Sequence, residues 1–357
     1  MSLLRRSIPA LLLIVCVAVH PVAAQQGRQP VPAENGMVVS TQYVASEVGR
    51  DILKQGGNAI DAAVATAFAL AVVHPAAGNI GGGGFLVYHG ADGETTAFNF
   101  REKAPAAAFE TMFLDEEGNL DETKHHRALT STGVPGTVAG LALAHERFGS
   151  LPWSDLLQPA VRLAENGFPF TWNLKSVQER FRSMAEDNPI YQSTADAFLK
   201  NGTETHEPGE LLVQGDLAET LKRIRDHGRD GFYKGETARL IADFMSTWGG
   251  LITEADLAAY EADEQAPIHG TYRGYDIYSM SPPSSGGIAI VTMLNILEAY
   301  DLASLGHNSA NYLHLLTEAM RRAFADRAQY VGDPKFNPDL PVDWLISKEH
   351  AADLTST

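Results

Sequence analysis

Residues 58–73, NAIDAAVATAFALAVV, are almost uniformly small or apolar, so a helix there is satisfied only by burial on most of its faces. His74-Pro75 ends it. Gly78-Asn79-Ile80 then leads into Gly81-Gly82-Gly83-Gly84, where the missing Cβ atoms permit left-handed angles and close approach to another surface. The pattern turns to short β-type runs at 85–89 and 95–100, and the Asp92-Gly93 pair between them predicts a hairpin. Arg101 comes straight off the second strand. Buried helix, glycine loop, hairpin and a charged residue at the strand end together make a scaffold for a binding site.

On either side the pattern is equally readable. Met37-Val38-Val39 predicts a strand, and residues 46–55 a helix with Val48, Ile52 and Leu53 on one side, stopped by Gly56-Gly57. Residues 106–129 are polar, with a turn at Glu117-Gly118-Asn119, and predict a surface excursion. Small residues return at 131–140 and open a helix running to Phe148. Residues 153–165 place Leu156, Leu157, Ala160, Val161 and Ala164 at helical spacing. The stretch 166–215 is the least regular, with helix expected at 174–185 and a turn at Asn201-Gly202-Thr203. Helices are predicted at 217–225 and 237–248, the latter stopped by Gly249-Gly250. Thr253 and Asp256 have capping-box spacing. Residues 268–278 predict two strands around Arg273-Gly274. Residues 281–287, SPPSSGG, form a second rigid-then-flexible loop before an apolar helix at 288–300. The last strong helix, 311–330, carries Leu313, Leu316, Met320, Ala323, Phe324 and Arg327 on one face. No internal repeat or clear linker interrupts this order.

The N-terminus follows different rules. Arg5 and Arg6, an apolar run at 8–19 and Val22-Ala23-Ala24 predict a cleaved export signal over 1–24, with the apolar run too short to anchor in a membrane. Residues 25–36 are a polar lead, and 37–357 are expected to form one continuous domain. Cys16, the chain's single cysteine, falls within the signal, so the processed form would hold no disulfide, thiol nucleophile or thiolate metal site. The formal charge of −17 over 357 residues becomes −19 when Arg5 and Arg6 leave with the signal. That balance argues against nucleic acid and anionic membrane as partners, since both select basic patches. With 45% hydrophobic and 20% charged residues, the chain can bury a sizeable core.

Most standard chemistries can be set aside. A dinucleotide fingerprint requires strand, glycines, then helix, whereas here a helix precedes the glycines and a strand follows. The twelve histidines are scattered, none has the i, i+4 spacing of a zinc helix, and adjacent His125 and His126 are expected to point apart. No metal or cofactor site is therefore expected. Ser284-Ser285-Gly286-Gly287 lies outside any Gly-x-Ser-x-Gly elbow and reads as a turn. Arg101 has two readings: a surface arginine paired with a neighbour such as Glu102, or a guanidinium gripping a carboxylate through two parallel hydrogen bonds. The residues alone leave both open.

Six segments in order resemble the large subunit of γ-glutamyltransferases: GGNAIDAAVATAFALAVVHPAAGNIGGGGF (56–85), FREKAP (100–105), STGVPGTVAG (131–140), GGLITEADLAAY (249–260), PPSSGG (282–287) and ADRAQYVGDP (325–334). The resemblance is collinear from about Met37 onward. Asn99, where the family often has aspartate, and Ser281 before the paired prolines are mild departures.

This resemblance implies an α/β (α+β) N-terminal-nucleophile hydrolase with a four-layer αββα sandwich, made as a precursor that cuts itself into a large and a small subunit. The new N-terminal threonine would attack the γ-glutamyl amide of glutathione or a relative. It would then pass the acyl group to an amino acid, a peptide or water, with its own α-amine as base. The family's arginine for the donor α-carboxylate corresponds to Arg101. The family's Thr-Thr-His or Thr-Ser-His nucleophile motif is expected beyond Thr357, because Thr355-Ser356-Thr357 lacks the following histidine. The 357 residues are thus expected to be an incomplete precursor, inactive alone, of an exported periplasmic or secreted enzyme. Related acylases of the same fold, and a non-catalytic glutamate-binding protein, are the alternatives. An exposed apolar face where the small subunit should pack would count against the second.

Overall fold

The computed structural model describes residues 30–356. The expected signal at 1–24, with Cys16, and the start of the polar lead lie outside the described residues. Residues 30–37 are exposed and contain no regular element. The chain from Val38 onward is a separate unit, Val38–Thr357.

That unit is built around the alanine-rich run. Helix α1 (Tyr43–Lys54) turns Ala45, Gly49 and Ile52 inward against α2 (Ala59–Val73). The contact is close enough that a Cβ on Gly49 would stand 2.2 Å from Thr66 Oγ1. Asn58 starts α2 with a full capping box: its side chain accepts from Ile60 N and Asp61 N, and Asp61 Oδ2 accepts from Asn58 N at 2.9 Å, which satisfies otherwise orphaned donors. Val64, Ala65, Phe68, Ala69 and Val72 are completely buried, so α2 is buried on most of its faces as its composition required. Asp61 is also fully buried and accepts from Ser150 N at 3.0 Å and Ser150 Oγ at 2.5 Å. A carboxylate in the core is tolerable only with such partners.

Strands β1 (Phe85–His89) and β2 (Thr95–Asn99) form the expected hairpin. Helices α3 (Thr137–Phe148) and α4 (Trp153–Asn166) follow, and α4 buries the five apolar residues that its spacing selected. The irregular stretch contains the two-residue strand β3 (Phe168–Pro169), α5 (Trp172–Asp187) and strand β4 (Leu211–Leu212), which pairs with β3. Asn201 and Gly202 both have positive φ, as a tight turn demands. Helices α6 (Gly215–His227) and α7 (Gly235–Trp248) come next, α7 ending at Gly249 with φ 79°, and Thr253 and Asp256 make the expected capping box.

Strand β5 (Asp263–Gln265) adds to β2, giving an antiparallel sheet in the order β1-β2-β5 with Phe98 opposite Leu86 and Glu264. Strands β6 (Ile268–Tyr272) and β7 (Tyr275–Ser279) form a second hairpin, whose turn residues Arg273 and Gly274 both have positive φ. Helix α8 (Gly286–Glu298) packs on β6 and on α9 (Ala310–Tyr330), and α10 (Lys348–Thr355) closes that side. Among the described residues no helix is long and apolar enough to cross a membrane.

Two expectations need correction. Residues 37–39 are not a strand: Met37 and Val39 are 54% and 80% exposed, and only Val38 packs against the core. With no ladder partner among the described residues, β-type side chains alone do not make a strand. The apolar face of α9 is split. Ala319 and Ala323 are buried and Leu316 packs beside them, while Leu313, Met320 and Phe324 stand 43–49% exposed, so only part of the apolar face meets the core.

Candidate active site

Strand pairing delivers Arg101 to its place. The hairpin ladder continues one step beyond β1 and β2, with Gly84 N donating to Phe100 O at 3.2 Å and Phe100 N to Gly84 O at 3.1 Å. Phe100 is buried against residues that must lack side chains. A Cβ on Gly140 would lie 2.1 Å from the Phe100 ring; one on Gly136 would lie 2.1 Å from both Phe100 O and Tyr260 Oη; one on Gly83 would lie 2.5 Å from Phe100 O. Close approach is therefore what these glycines provide. The left-handed angles expected for Gly81 to Gly84 are absent, since none of the four has positive φ.

The next residue is held by its main chain. Arg101 N donates to Asn99 Oδ1 at 3.2 Å, and Tyr260 Oη donates to Arg101 O at 2.8 Å. Tyr260 stacks on Tyr233, ring centroids 5.7 Å apart, and Tyr233 donates to Pro135 O at 2.8 Å. Burial pushes both phenols above their ordinary pKa, so they remain protonated donors.

Arg101 opens into a cleft of about 470 Å³, lined among others by Asn99, Lys103, Asp263, Pro283, Asp333 and Lys335. Lys335 Nζ binds both oxygens of Asp263 at 2.9 and 3.0 Å, and Lys103 Nζ lies 3.7 Å from the same carboxylate while donating to Glu261 O. The two ammoniums respond oppositely. Burial pulls Lys103 below its ordinary pKa, with Asp263 opposing and Lys335 adding to the shift; the hydrogen bond to Asp263 raises Lys335. The closer pairing of Lys335 accounts for the difference. Arg101 is unlike either: it is exposed, and its guanidinium makes no hydrogen bond or ion pair among the described residues. In particular it does not pair with Glu102.

The family model for gamma-glutamyltranspeptidase matches residues 45–357. The chain belongs to this family. It is 48% identical over 324 residues to the glutathione hydrolase proenzyme of Escherichia coli, covering 90% of this chain and 55% of that protein. It is 42% identical to the acylase ACY 1 proenzyme of a Pseudomonas strain, over 91% of this chain and 58% of the other. The chain thus spans little more than half the length of these relatives. In structure it is similar to the gamma-glutamyltranspeptidase of Helicobacter pylori, with a TM-score of 0.88 at 44% identity, covering 92% of this chain and 93% of that one. The fold is that of the N-terminal-nucleophile hydrolases, mixed helix and sheet.

Within this gamma-glutamyltranspeptidase scaffold, segments far apart in the chain converge on one cleft. Residues 101–103, Pro283 and 332–334 all line it, and Gly136 and Tyr260 support it from behind. Residue patterns singled out Arg101 but not Asp263 or Lys335. Nothing local distinguishes this half-buried aspartate or this exposed lysine, and their roles come from a pairing across 72 positions. Ser285, set aside as a nucleophile, is bonded to Arg327 Nε at 2.7 Å. His125 and His126, expected to diverge, instead bring ring nitrogens within 3.1 Å. Both histidines lie at the end of the short helix Glu122–His126.

Proposed function

We propose that the complete gene product is an exported γ-glutamyltransferase. It cleaves the γ-glutamyl amide of glutathione or a related donor and passes the glutamyl group to an amino acid, a peptide or water. The observation that carries this reading is the unpartnered Arg101 guanidinium at the mouth of the cleft, which suits the donor's α-carboxylate through two parallel N–H···O bonds. A threonine at the N-terminus of the small subunit attacks the γ-carbonyl carbon, its α-amine taking the hydroxyl proton and returning it to the departing amine. The ester so formed is then released by the acceptor. In this reading residues 38–357 supply the anchor and much of the scaffold, and are inactive without the small subunit.

The exposed Leu313, Met320 and Phe324 on one face of α9, and Phe85 and Val87 on one face of β1, support a partner of that kind, since stripes of large apolar side chains mark a contact surface. They count against a self-sufficient glutamate-binding module. The basic, apolar and small-residue order of positions 1–24 supports export.

The test compares three anilides with the complete gene product. γ-Glutamyl anilide should be cleaved fastest; the 4-aminobutyryl anilide, which lacks the α-carboxylate, should be cleaved poorly. Glutaryl anilide keeps a carboxylate but lacks the α-amine, and a preference for it would replace the transferase reading with the acylase one.

A further inference from the structure

The surface excursion carries a side-chain cluster that γ-glutamyl chemistry does not use. Asp121 caps the short helix Glu122–His126, accepting from Thr123 N and Lys124 N. On that helix His125 Nδ1 and His126 Nε2 lie 3.1 Å apart, and His126 Nε2 lies 3.0 Å from Glu122 Oε2. The candidate ligand atoms of Glu122, His125 and His126 all fall within 4.8 Å of one another. Phe113 meets the His125 ring edge-on at 5.3 Å and fixes its orientation. The nearby ammonium of Lys124 is drawn away, donating to Leu114 O at 2.9 Å with Asp121 at 3.8 Å.

We propose that Glu122, His125 and His126 form a binding site for a zinc-class divalent ion that staples the short helix of this excursion. With metal–ligand bonds of ~2.1 Å, tetrahedral coordination places neighbouring ligand atoms ~3.4 Å apart. The two contacts of 3.0 and 3.1 Å need to open only slightly to admit the ion. Two imidazoles and one carboxylate suit zinc, copper or nickel better than calcium or magnesium, which prefer all-oxygen shells. Glu122 and His126 are exposed, leaving the remaining coordination positions to water. The ion would tie the first residue of the short helix to its last two, beside the turn where Asp121 N donates to Phe113 O at 2.8 Å and Leu114 bridges to Leu120. None of the three ligands lines the Arg101 cleft, so the site is structural rather than catalytic.

The test titrates Zn²⁺ into the chelator-treated complete gene product by calorimetry, with limited proteolysis of residues 106–128 as a second readout. The expected result is a saturable site whose occupancy slows cleavage in the excursion. His126→Ala should weaken binding about tenfold or more, since losing a ligand costs at least what losing an outer-shell partner does. The double variant His125→Ala/His126→Ala should lose both binding and protection while turning over the γ-glutamyl donor normally, which certifies its fold. Equal Zn²⁺ affinity in the wild type and double variant, or no saturable binding by the wild type, would overturn the proposal.

Discussion

Replacing Arg101 with lysine keeps the positive charge and removes the planar fork. In the free protein the guanidinium has no partner among the described residues, so no internal ion pair must break before a donor binds. Its backbone is already fixed through Asn99 and Tyr260. The substitution therefore subtracts one charge-assisted hydrogen bond from the bound state and little else. Such bonds are worth roughly 1.5–3 kcal/mol, and the exposure of Arg101 favours the lower half of that range. Translated to affinity, Arg101→Lys should raise the donor KM about 10- to 40-fold, with a smaller effect on kcat because the reacting carbonyl lies elsewhere. The assay is initial-rate release of p-nitroaniline from γ-glutamyl-p-nitroanilide by the complete gene product, with self-cleavage into two subunits confirmed on a gel. Arg101→Met should be weaker still. A KM for Arg101→Lys equal to that of the wild type, in normally cleaved protein, would refute the assignment.

Two further outcomes test the scaffold beneath that site. Burial alone would raise the Asp61 pKa, but hydrogen bonds from Ser150, Asn58 and Leu151 outweigh it and hold the carboxyl below its ordinary value. Its stabilisation is therefore complete above about pH 4, the unfolded value, and is lost as pH falls through the lower folded pKa. Asp61→Ala should cost about 3 kcal/mol near neutrality; urea denaturation at several pH values should show the gap from wild type shrinking on acidification, and a constant gap would contradict the sign. Gly140→Ala would put a methyl 2.1 Å from the Phe100 ring, and overpacking of this kind costs about 1–3 kcal/mol. It should raise the donor KM by shifting the residue before Arg101, whereas unchanged stability and KM would show that the ring has room to move.

The elements with a strong period were legible because local order and tertiary need agree in them. The 58–73 run could be stable only inside, and it is. Leu156, Leu157, Ala160, Val161 and Ala164 fall on one buried face. The positive φ at Arg273 and Gly274 follows from the hairpin turn. Legibility failed where a distant surface decides. Met37 to Val39 has β-type side chains but no neighbouring strand among the described residues, and Leu313, Met320 and Phe324 of α9 are exposed while Leu316 and the alanines meet the core. For the site, the residues alone left Arg101 open between a surface ion pair and a carboxylate grip, and the Asp263–Lys335 pairing that shapes the wall could not be read at all. The histidine pair misled for a simpler reason. Successive helical residues lie about 100° apart on the axis, but long side chains at a helix end can still swing together.

The manner in which Arg101 is held bears on how this scaffold diversifies. The neighbouring ring, carbonyls and amides are fastened by Gly84, Asn99, Gly140 and Tyr260, and none of those attachments involves the guanidinium itself. Position 101 can therefore exchange its side chain while the chain path stays where it is. A lineage needing a different acyl group could change its chemistry at this one point without rebuilding the support, an economy consistent with acylases and glutathione hydrolases sharing one fold.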